Sequence, residues 1–151
     1  MSFFEILSVK VKKNLVKINE NFEFEIFFEI KKILEKNLNL KVVYIISPKK
    51  EENNQELETF QISTKKIGKF RLVLKIRPPN FKGITKENII GINVILFTIF
   101  LKKKAVTNVG YYVSNEEIGN SDNIDNNYFQ EENIVRNILE NEPRITHFFD
   151  Y

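Results

Sequence analysis

The segment that most constrains the fold is the apolar run Ile89–Leu101, which carries apolar side chains at both odd and even positions. Successive side chains of a strand point to opposite faces, so a strand formed by this run is apolar on both faces. One face can fill a core. The other is covered either by more of the chain or by a partner, and periodicity alone does not distinguish the two. A lysine-rich connection, residues 102–108, is long enough for a hairpin turn and leads into Val109–Glu116.

Alternating apolar and polar residues predict several further strands. The clearest alternation is Phe22–Ile30, although Phe27 interrupts its polar side. Leu40–Ile46 is apolar on both faces, like the run described above. The remaining predicted strands are Val9–Val11, Leu57–Ile62 with an irregularity near Thr59, Phe70–Ile76, and an edge strand within Arg144–Phe149.

Helical signals are few and short. Thr85–Asn88 predicts one helical turn capped by Thr85. Ile134, Val135, Ile138 and Leu139 have the spacing of a short helix, and the polar segment Asn115–Asn133 predicts a long surface loop. Seven or more short strands at regular spacing predict an all-β fold, an immunoglobulin-like antiparallel β-sandwich with short helical turns in the connections. The length of 151 residues predicts a single domain, residues 1–151.

The residue types needed for catalysis or metal binding are scarce. The chain has no Cys, which excludes disulfides and thiolate metal sites. Its one histidine, His147, lies in the predicted edge strand, and the adjacent carboxylates Glu51-Glu52 and Glu131-Glu132 lie in polar loops typical of solvated surface. The few glycines form no phosphate-binding loop. These features predict a binding protein that is not an enzyme and needs no metal or cofactor.

The charge pattern argues against nucleic acid and membranes as partners. The net charge is only +3, its basic residues are nearly all Lys, and both signs are interspersed. A nucleic-acid reader would show clustered Arg or stacking aromatics among basic residues. The N-terminus has no signal-peptide pattern, and no apolar run reaches the roughly 20 residues of a membrane span. We therefore expect a soluble intracellular protein with no direct contact to nucleic acid or membrane.

Six segments together resemble the anti-silencing function family of histone chaperones, along essentially the whole chain. They occur in the family's order and spacing, and they are Phe22–Glu29, Lys41–Tyr44, Gly91–Leu96, Val109–Glu116, Arg136–Leu139 and Pro143–Thr146. The resemblance implies a nuclear, non-catalytic chaperone that is a monomer alone and binds the dimer of histones three and four for nucleosome assembly and disassembly. No acidic C-terminal tail is expected after Tyr151.

The resemblance also implies two histone contacts. A concave apolar face would cover the end helices of histone three and block tetramer formation. The residues matching that face are Ile45, Ile92, Val94, Leu96, Tyr111 and Tyr112. The tail of histone four would pair with the edge of the last strand, where the matching residues are Leu139, Pro143, Arg144, Ile145 and Thr146.

The chain departs from the family at its charged contacts. Asn54 and Asn88 stand where the family has aspartates, and Asn108 stands where it has an arginine. An amide still forms hydrogen bonds, but without the charge assistance that a carboxylate or guanidinium provides. Charge assistance roughly doubles the strength of a hydrogen bond. The family is also typically acidic, whereas this chain carries +3. We expect slower, less steered association with histones and retained binding.

A further family surface receives peptides from downstream chromatin assembly factors. The positions that correspond to it are Phe28, Lys36, Asn37 and Ile62, and Lys36-Asn37 replaces the family's acidic pair. The sequence therefore departs from the family at this partner's site. The alternative to a histone chaperone is an immunoglobulin-like adaptor module that binds a different helix or strand of a protein partner.

Overall fold

The computed structural model describes residues 3–46, 54–118 and 133–148. Ten strands and one short helix lie in these ranges. Their bounds are β1 (Phe4–Val11), β2 (Val16–Lys17), β3 (Phe22–Ile30), β4 (Leu38–Ile45), β5 (Gln55–Ile62), β6 (Gly68–Ile76), α1 (Lys86–Ile89), β7 (Gly91–Leu101), β8 (Lys104–Glu117), β9 (Ile134–Ile138) and β10 (Arg144–His147).

The strands form two antiparallel sheets. The smaller sheet has the order β1-β3-β6, and the larger has the order β2-β9-β8-β7-β4-β5. Strand β10 pairs with the same edge of β8 as β9 does, opposite Thr107–Gly110, while β9 pairs opposite Val113–Glu117. The predicted all-β sandwich is confirmed.

The core lies between the sheets and is filled by one face of each strand. Phe24 of β3 contacts Phe97 of β7 and Tyr111 of β8, with ring centroids 4.7 and 5.9 Å apart. Phe22 lies 6.0 Å from the ring of Tyr44 on β4. The alternation in β3 and β4 thus places their aromatic residues in one shared interior, where ring pairs stabilise beyond their buried area.

The helix predicted around Ile134–Leu139 is wrong, because this segment forms β9. Its buried positions alternate, and the middle one is Arg136, a polar residue that hides the period of two. The Arg136 guanidinium lies 3.8 Å from the Phe22 ring centroid and donates hydrogen bonds to the carbonyls of Ile18, Glu20 and Asn21. Burial lowers the pKa of Arg136 to about 10, so it remains charged at neutral pH.

Two predicted loops are shorter than expected. Residues 102–108 were expected to connect the hairpin, but Lys104 already pairs with Leu101, so the turn is only Lys102-Lys103. Lys102 adopts a left-handed φ of 59° there. Strand β8 also continues to Glu117, so the first residues of the predicted loop Asn115–Asn133 belong to a strand. Positions 119–132 of that loop lie outside the described residues.

Buried amides anchor the helix to the larger sheet. Asn93, which interrupts the apolar run, donates to the carbonyls of Asn88 and Ile89. Asn115 donates to the Ile89 carbonyl at 3.1 Å and to the Tyr44 hydroxyl at 3.2 Å. The N-terminal position of Thr85 is confirmed, but its Oγ1 accepts from the Asn88 side chain and caps no backbone N–H. The irregularity predicted near Thr59 is a register shift at Leu57.

Candidate protein-binding face

The site begins with a row of apolar side chains across the larger sheet. Ile45 of β4 lies opposite Val94 of β7, and Val94 lies opposite Tyr112 of β8. Directly opposed residues share a face, so these three side chains form one continuous row on the face turned away from the core. All three are partly exposed, and Ile92, two residues before Val94, is 55% exposed. We call this surface, with the neighbouring row described next, the outer face.

The next row adds a charged residue to the apolar ones. Leu96 lies opposite Gly110, and Gly110 lies opposite Arg144 of β10. A Cβ on Gly110 would approach Leu96 Cδ1 to 3.3 Å, so glycine lets the leucine lie flat across β8. The Arg144 guanidinium lies 5.8 Å from the Tyr112 ring centroid, within the range of a cation–π contact. The outer face therefore has an apolar centre and one cation at its β10 side.

Tyr111 does not belong to the outer face, which corrects its assignment as a histone-three contact. It is 1% exposed, and its ring packs against Phe24 between the sheets. Neighbours in a strand point to opposite faces, so Tyr111 and Tyr112 cannot both reach one partner surface through their rings. Burial raises the pKa of Tyr111 to about 12, consistent with its interior position.

The three asparagines that replace charged family residues lie in different settings. Asn108 lies on the outer face between Thr98 and Thr146. The side chain of Asn88 donates to Thr85 Oγ1 at 3.0 Å, at the end of the sheet from which β7 starts. Asn54 precedes β5, and its Oδ1 is buried without a partner among the described residues.

Strand β10 is exposed along its whole length and lies at an edge of the sheet. The Phe148 N–H donates to the Val106 carbonyl at 2.9 Å, and paired positions alternate along an antiparallel ladder. Arg144 and Thr146 therefore turn their backbone groups toward β8, while those of Ile145 and His147 point away from it. No strand in the described ranges pairs with that second side.

The other residues matched to histone four lie just before β10. The Leu139 N–H donates to the Tyr112 carbonyl at 2.9 Å, which links the two strands paired with β8. Pro143 is exposed in the connection to β10. The site thus joins two kinds of surface, an apolar sheet face and an open strand edge, through Tyr112 and Arg144.

The residues predicted for an assembly-factor peptide do not form one surface. Phe28 and Ile62 are buried members of the core, and the Phe28 ring lies 5.6 Å from that of Phe4. This corrects their assignment as surface contacts, because β3 and β5 turn these positions inward. Lys36 and Asn37 lie in the β3–β4 connection and line a cleft at one end of the sandwich.

The only histidine shows no catalytic arrangement. His147 is exposed in β10, and its Nδ1 lies 3.1 Å from Thr107 Oγ1. Within residues 3–46, 54–118 and 133–148, no group of acidic, His or Cys side chains is placed to hold a metal ion. The same ranges contain no helix of the length and apolarity needed to cross a bilayer.

Comparison with known proteins identifies the family of this chain. A family model described as ASF1 like histone chaperone matches residues 1–150. The chain is 34% identical to histone chaperone ASF1 of Chaetomium globosum, 33% to that of Candida glabrata and 32% to that of Saccharomyces cerevisiae, over 98% of its own length in each case. It covers 54%, 49% and 53% of those relatives, about half their length. The chain belongs to the ASF1-like histone chaperone family, a family of binding proteins without enzymatic activity.

Proposed function

We propose that this protein is a nuclear histone chaperone that binds the dimer of histones three and four and keeps two dimers from joining. The observation that carries the proposal is the row Ile45–Val94–Tyr112, which places three apolar side chains on the outer face, turned away from the core. Apolar and aromatic clusters of this kind concentrate binding energy when a partner covers them.

The composition of the face favours a helical partner surface with some negative charge. The centre carries aliphatic and aromatic side chains, which suit the apolar side of a helix, and Arg144 at the rim can pair with a carboxylate. A histone-three helix laid on this row would no longer be free to contact a second histone three. Binding and blocking of tetramer formation are therefore one event in this proposal.

The second part of the proposal is strand addition by the tail of histone four. Ile145 and His147 direct backbone donors and acceptors to the open side of β10, and an extended peptide can pair with them. Arg144 and Thr146 hold β10 to β8 from the other side. The edge is thus fixed before the peptide arrives, which lowers the ordering cost of binding.

Size-exclusion chromatography with purified core histones tests the first part. We expect one chaperone to elute with one copy each of histones three and four, and cross-linking between two histone-three chains to disappear from the complex. Co-elution with an intact histone tetramer would contradict the blocking mechanism. Equal retention of an unrelated basic protein would show nonspecific adhesion, and failure to bind any histone would leave the adaptor alternative.

A backbone substitution tests strand addition separately. Ile145→Pro removes the N–H on the open side of β10 and leaves the bonds to β8 in place, so a histone-four tail peptide should lose most of its binding. Ile145→Ala is the matched control, because it shortens the side chain and keeps the N–H. Equal peptide affinities for the two variants, measured by fluorescence anisotropy, would exclude pairing at this edge.

A further inference from the structure

One end of the sandwich carries a basic cleft that the histone proposal does not use. The cleft has a volume of about 570 Å³, within the ~300–1,000 Å³ usual for ligand sites. It lies where three connections meet: the β3–β4 connection, the β5–β6 connection and the β7–β8 turn. Its lining is Glu35, Lys36, Asn37, Asn39, Gln61, Lys65, Lys102 and Lys103. Each connection contributes at least one lysine, so the charge is a property of the assembled end.

The four lysines of the cleft are available to a ligand. All four are exposed, and none forms an ion pair with a carboxylate in the described part of the chain, unlike Lys31 nearby, which pairs with Glu5 at 2.8 Å. Lys12 and Lys41 elsewhere on the surface also pair with carboxylates. Four lysines against the single carboxylate Glu35 leave the concavity positive, and an anionic ligand would relieve the repulsion among the lysines.

The walls of the cleft are held together by a buried hydroxyl. Thr64 is fully buried, and its Oγ1 lies 3.2 Å from the Leu34 carbonyl and 2.9 Å from the Lys36 carbonyl. These bonds fix the β3–β4 connection to the β5–β6 connection. The third wall is a tight two-residue turn with Lys102 at a φ of 59°. The cleft is therefore formed before any ligand arrives.

We propose that this cleft binds an acidic polypeptide segment of a partner protein. Carboxylates would meet Lys36, Lys65, Lys102 and Lys103, and the peptide backbone would meet the amides between them. Those amides belong to Asn37, Asn39 and Gln61, and each of these side chains carries both a hydrogen-bond donor and an acceptor. The partner surface is thus distinct from the outer face, and the proposal does not rest on histone binding.

The same lining disfavours nucleic acid. A phosphate backbone has no N–H to offer the Glu35 carboxylate or the amide oxygens of the lining, whereas a polypeptide has one at nearly every residue. The lining contains neither an aromatic ring for base stacking nor an arginine fork for phosphate. A polypeptide supplies both carboxylates and backbone donors, and so fits every group in the cleft.

Fluorescence anisotropy with a labelled peptide of alternating Glu and Ser tests the proposal. We expect saturable binding that weakens with added salt, and a loss of about tenfold or more in the double variant Lys65→Glu/Lys103→Glu. The matched control is Lys10→Glu/Lys82→Glu, which makes the same change in net charge at two exposed lysines outside the cleft and should keep most of the affinity. Thr64→Val, which alters no charge, should weaken binding by loosening the walls.

Three outcomes would overturn the proposal. Equal losses in the two double variants would mean that the net charge of the protein, and not the cleft, attracts the peptide. Tighter binding of duplex DNA through Lys65 and Lys103 would replace the peptide with nucleic acid. Displacement of the peptide by inorganic phosphate at comparable concentration would reduce the cleft to a simple anion site. Histone co-elution and the thermal unfolding midpoint should be unchanged in Lys65→Glu/Lys103→Glu, so a fold defect or a failed histone proposal is recognised independently.

Discussion

The outer faces of the two sheets arise from the same alternating pattern but differ in chemistry. On the smaller sheet, Glu25 is only 3% exposed because Arg71 and Lys12 cover it, with Lys12 Nζ 3.4 Å from Oε2 and a close Arg71 contact. Lys10 lies over the Phe27 ring at 5.5 Å from its centroid. This face supplies partners for its own charges and covers an apolar ring with a lysine.

The outer face of the larger sheet lacks such internal pairing at its centre. Ile45, Val94 and Tyr112 form a row with no charge among them, and the Arg144 guanidinium lies over the tyrosine ring. An apolar row of this kind gains free energy only when another surface covers it. Exposure alone therefore does not distinguish the two faces, and the apolar row without partners of its own is the better candidate for a binding face.

The largest effect is expected for two neighbouring tyrosines on opposite sides of β8. Tyr111→Ala removes a buried ring and should lower the free energy of unfolding by about 3–5 kcal/mol. Tyr112→Ala removes a partly exposed ring and should cost about 1 kcal/mol or less, mostly the cation–π contact with Arg144. Urea denaturation of both variants measures the difference. Similar losses would show that both rings are structural and would remove Tyr112 from the proposed site.

A charge placed on each outer face compares their roles directly. Val94→Arg puts an unpaired cation in the centre of the proposed contact and should weaken histone binding by about 2–5 kcal/mol. Val73→Arg makes the same change on the smaller sheet, where Val73 is 58% exposed opposite Glu25, and should leave binding unchanged. Isothermal titration of the histone dimer measures both. Full binding by Val94→Arg would place the histone site elsewhere.

The sequence predicts that β7 has two apolar faces more reliably than the family resemblance predicts which residues lie on the outer one. Parity along the apolar run placed Ile92, Val94 and Leu96 together, and the strand register agrees, because a period of two leaves no other arrangement. The family match assigned Tyr111 and Tyr112 to one contact, although the same parity separates them. Applying the period to residues taken from the resemblance would have placed Tyr111 in the core.

Buried polar residues explain the remaining differences. Arg136 disguised β9 as a helix, since neither its stacking on Phe22 nor its bonds to distant carbonyls leave a local signal. In the sequence, Asn93 interrupts the apolar run and Asn115 begins the predicted loop. Both side chains are nevertheless buried and hold α1 against the sheet. Such partners come from connections far away in the chain, so no window of sequence contains them.

The paired charges of the smaller sheet should make stability depend on pH. The hydrogen bond from Arg71 holds the pKa of Glu25 below its ordinary value of 4.5, with further lowering by the charges of Arg71 and Lys12 against opposing burial. A lowered folded-state pKa favours the ionised form, so this contribution is complete above the ordinary value and is lost as pH falls through the lowered one. Wild-type stability should therefore decline in acid more steeply than that of Glu25→Gln.

The control for this prediction is Glu23→Gln on the same face. Glu23 lies 3.9 Å from Lys75 in an exposed pair, and exposed pairs contribute little. Its acid profile, followed by urea midpoints at a series of pH values, should match that of the wild type. A Glu25→Gln profile that also matches would mean that the charges covering Glu25 do not favour its ionised form.

The smallest effect concerns how fast the apolar face meets its partner. With a net charge of +3 and amides at Asn54 and Asn88, this chain lacks the negative field that would steer basic histones, so its association rate should depend only weakly on salt. Asn88→Asp adds one negative charge beside the outer face and should raise the low-salt association rate by roughly two- to fivefold, with little change in dissociation.

Gln61→Glu makes the same net-charge change in the basic cleft and should alter the rate less. Stopped-flow rates for the three proteins across ionic strengths test this, and a steep salt dependence in the wild type would mean that charges near the apolar row steer binding after all.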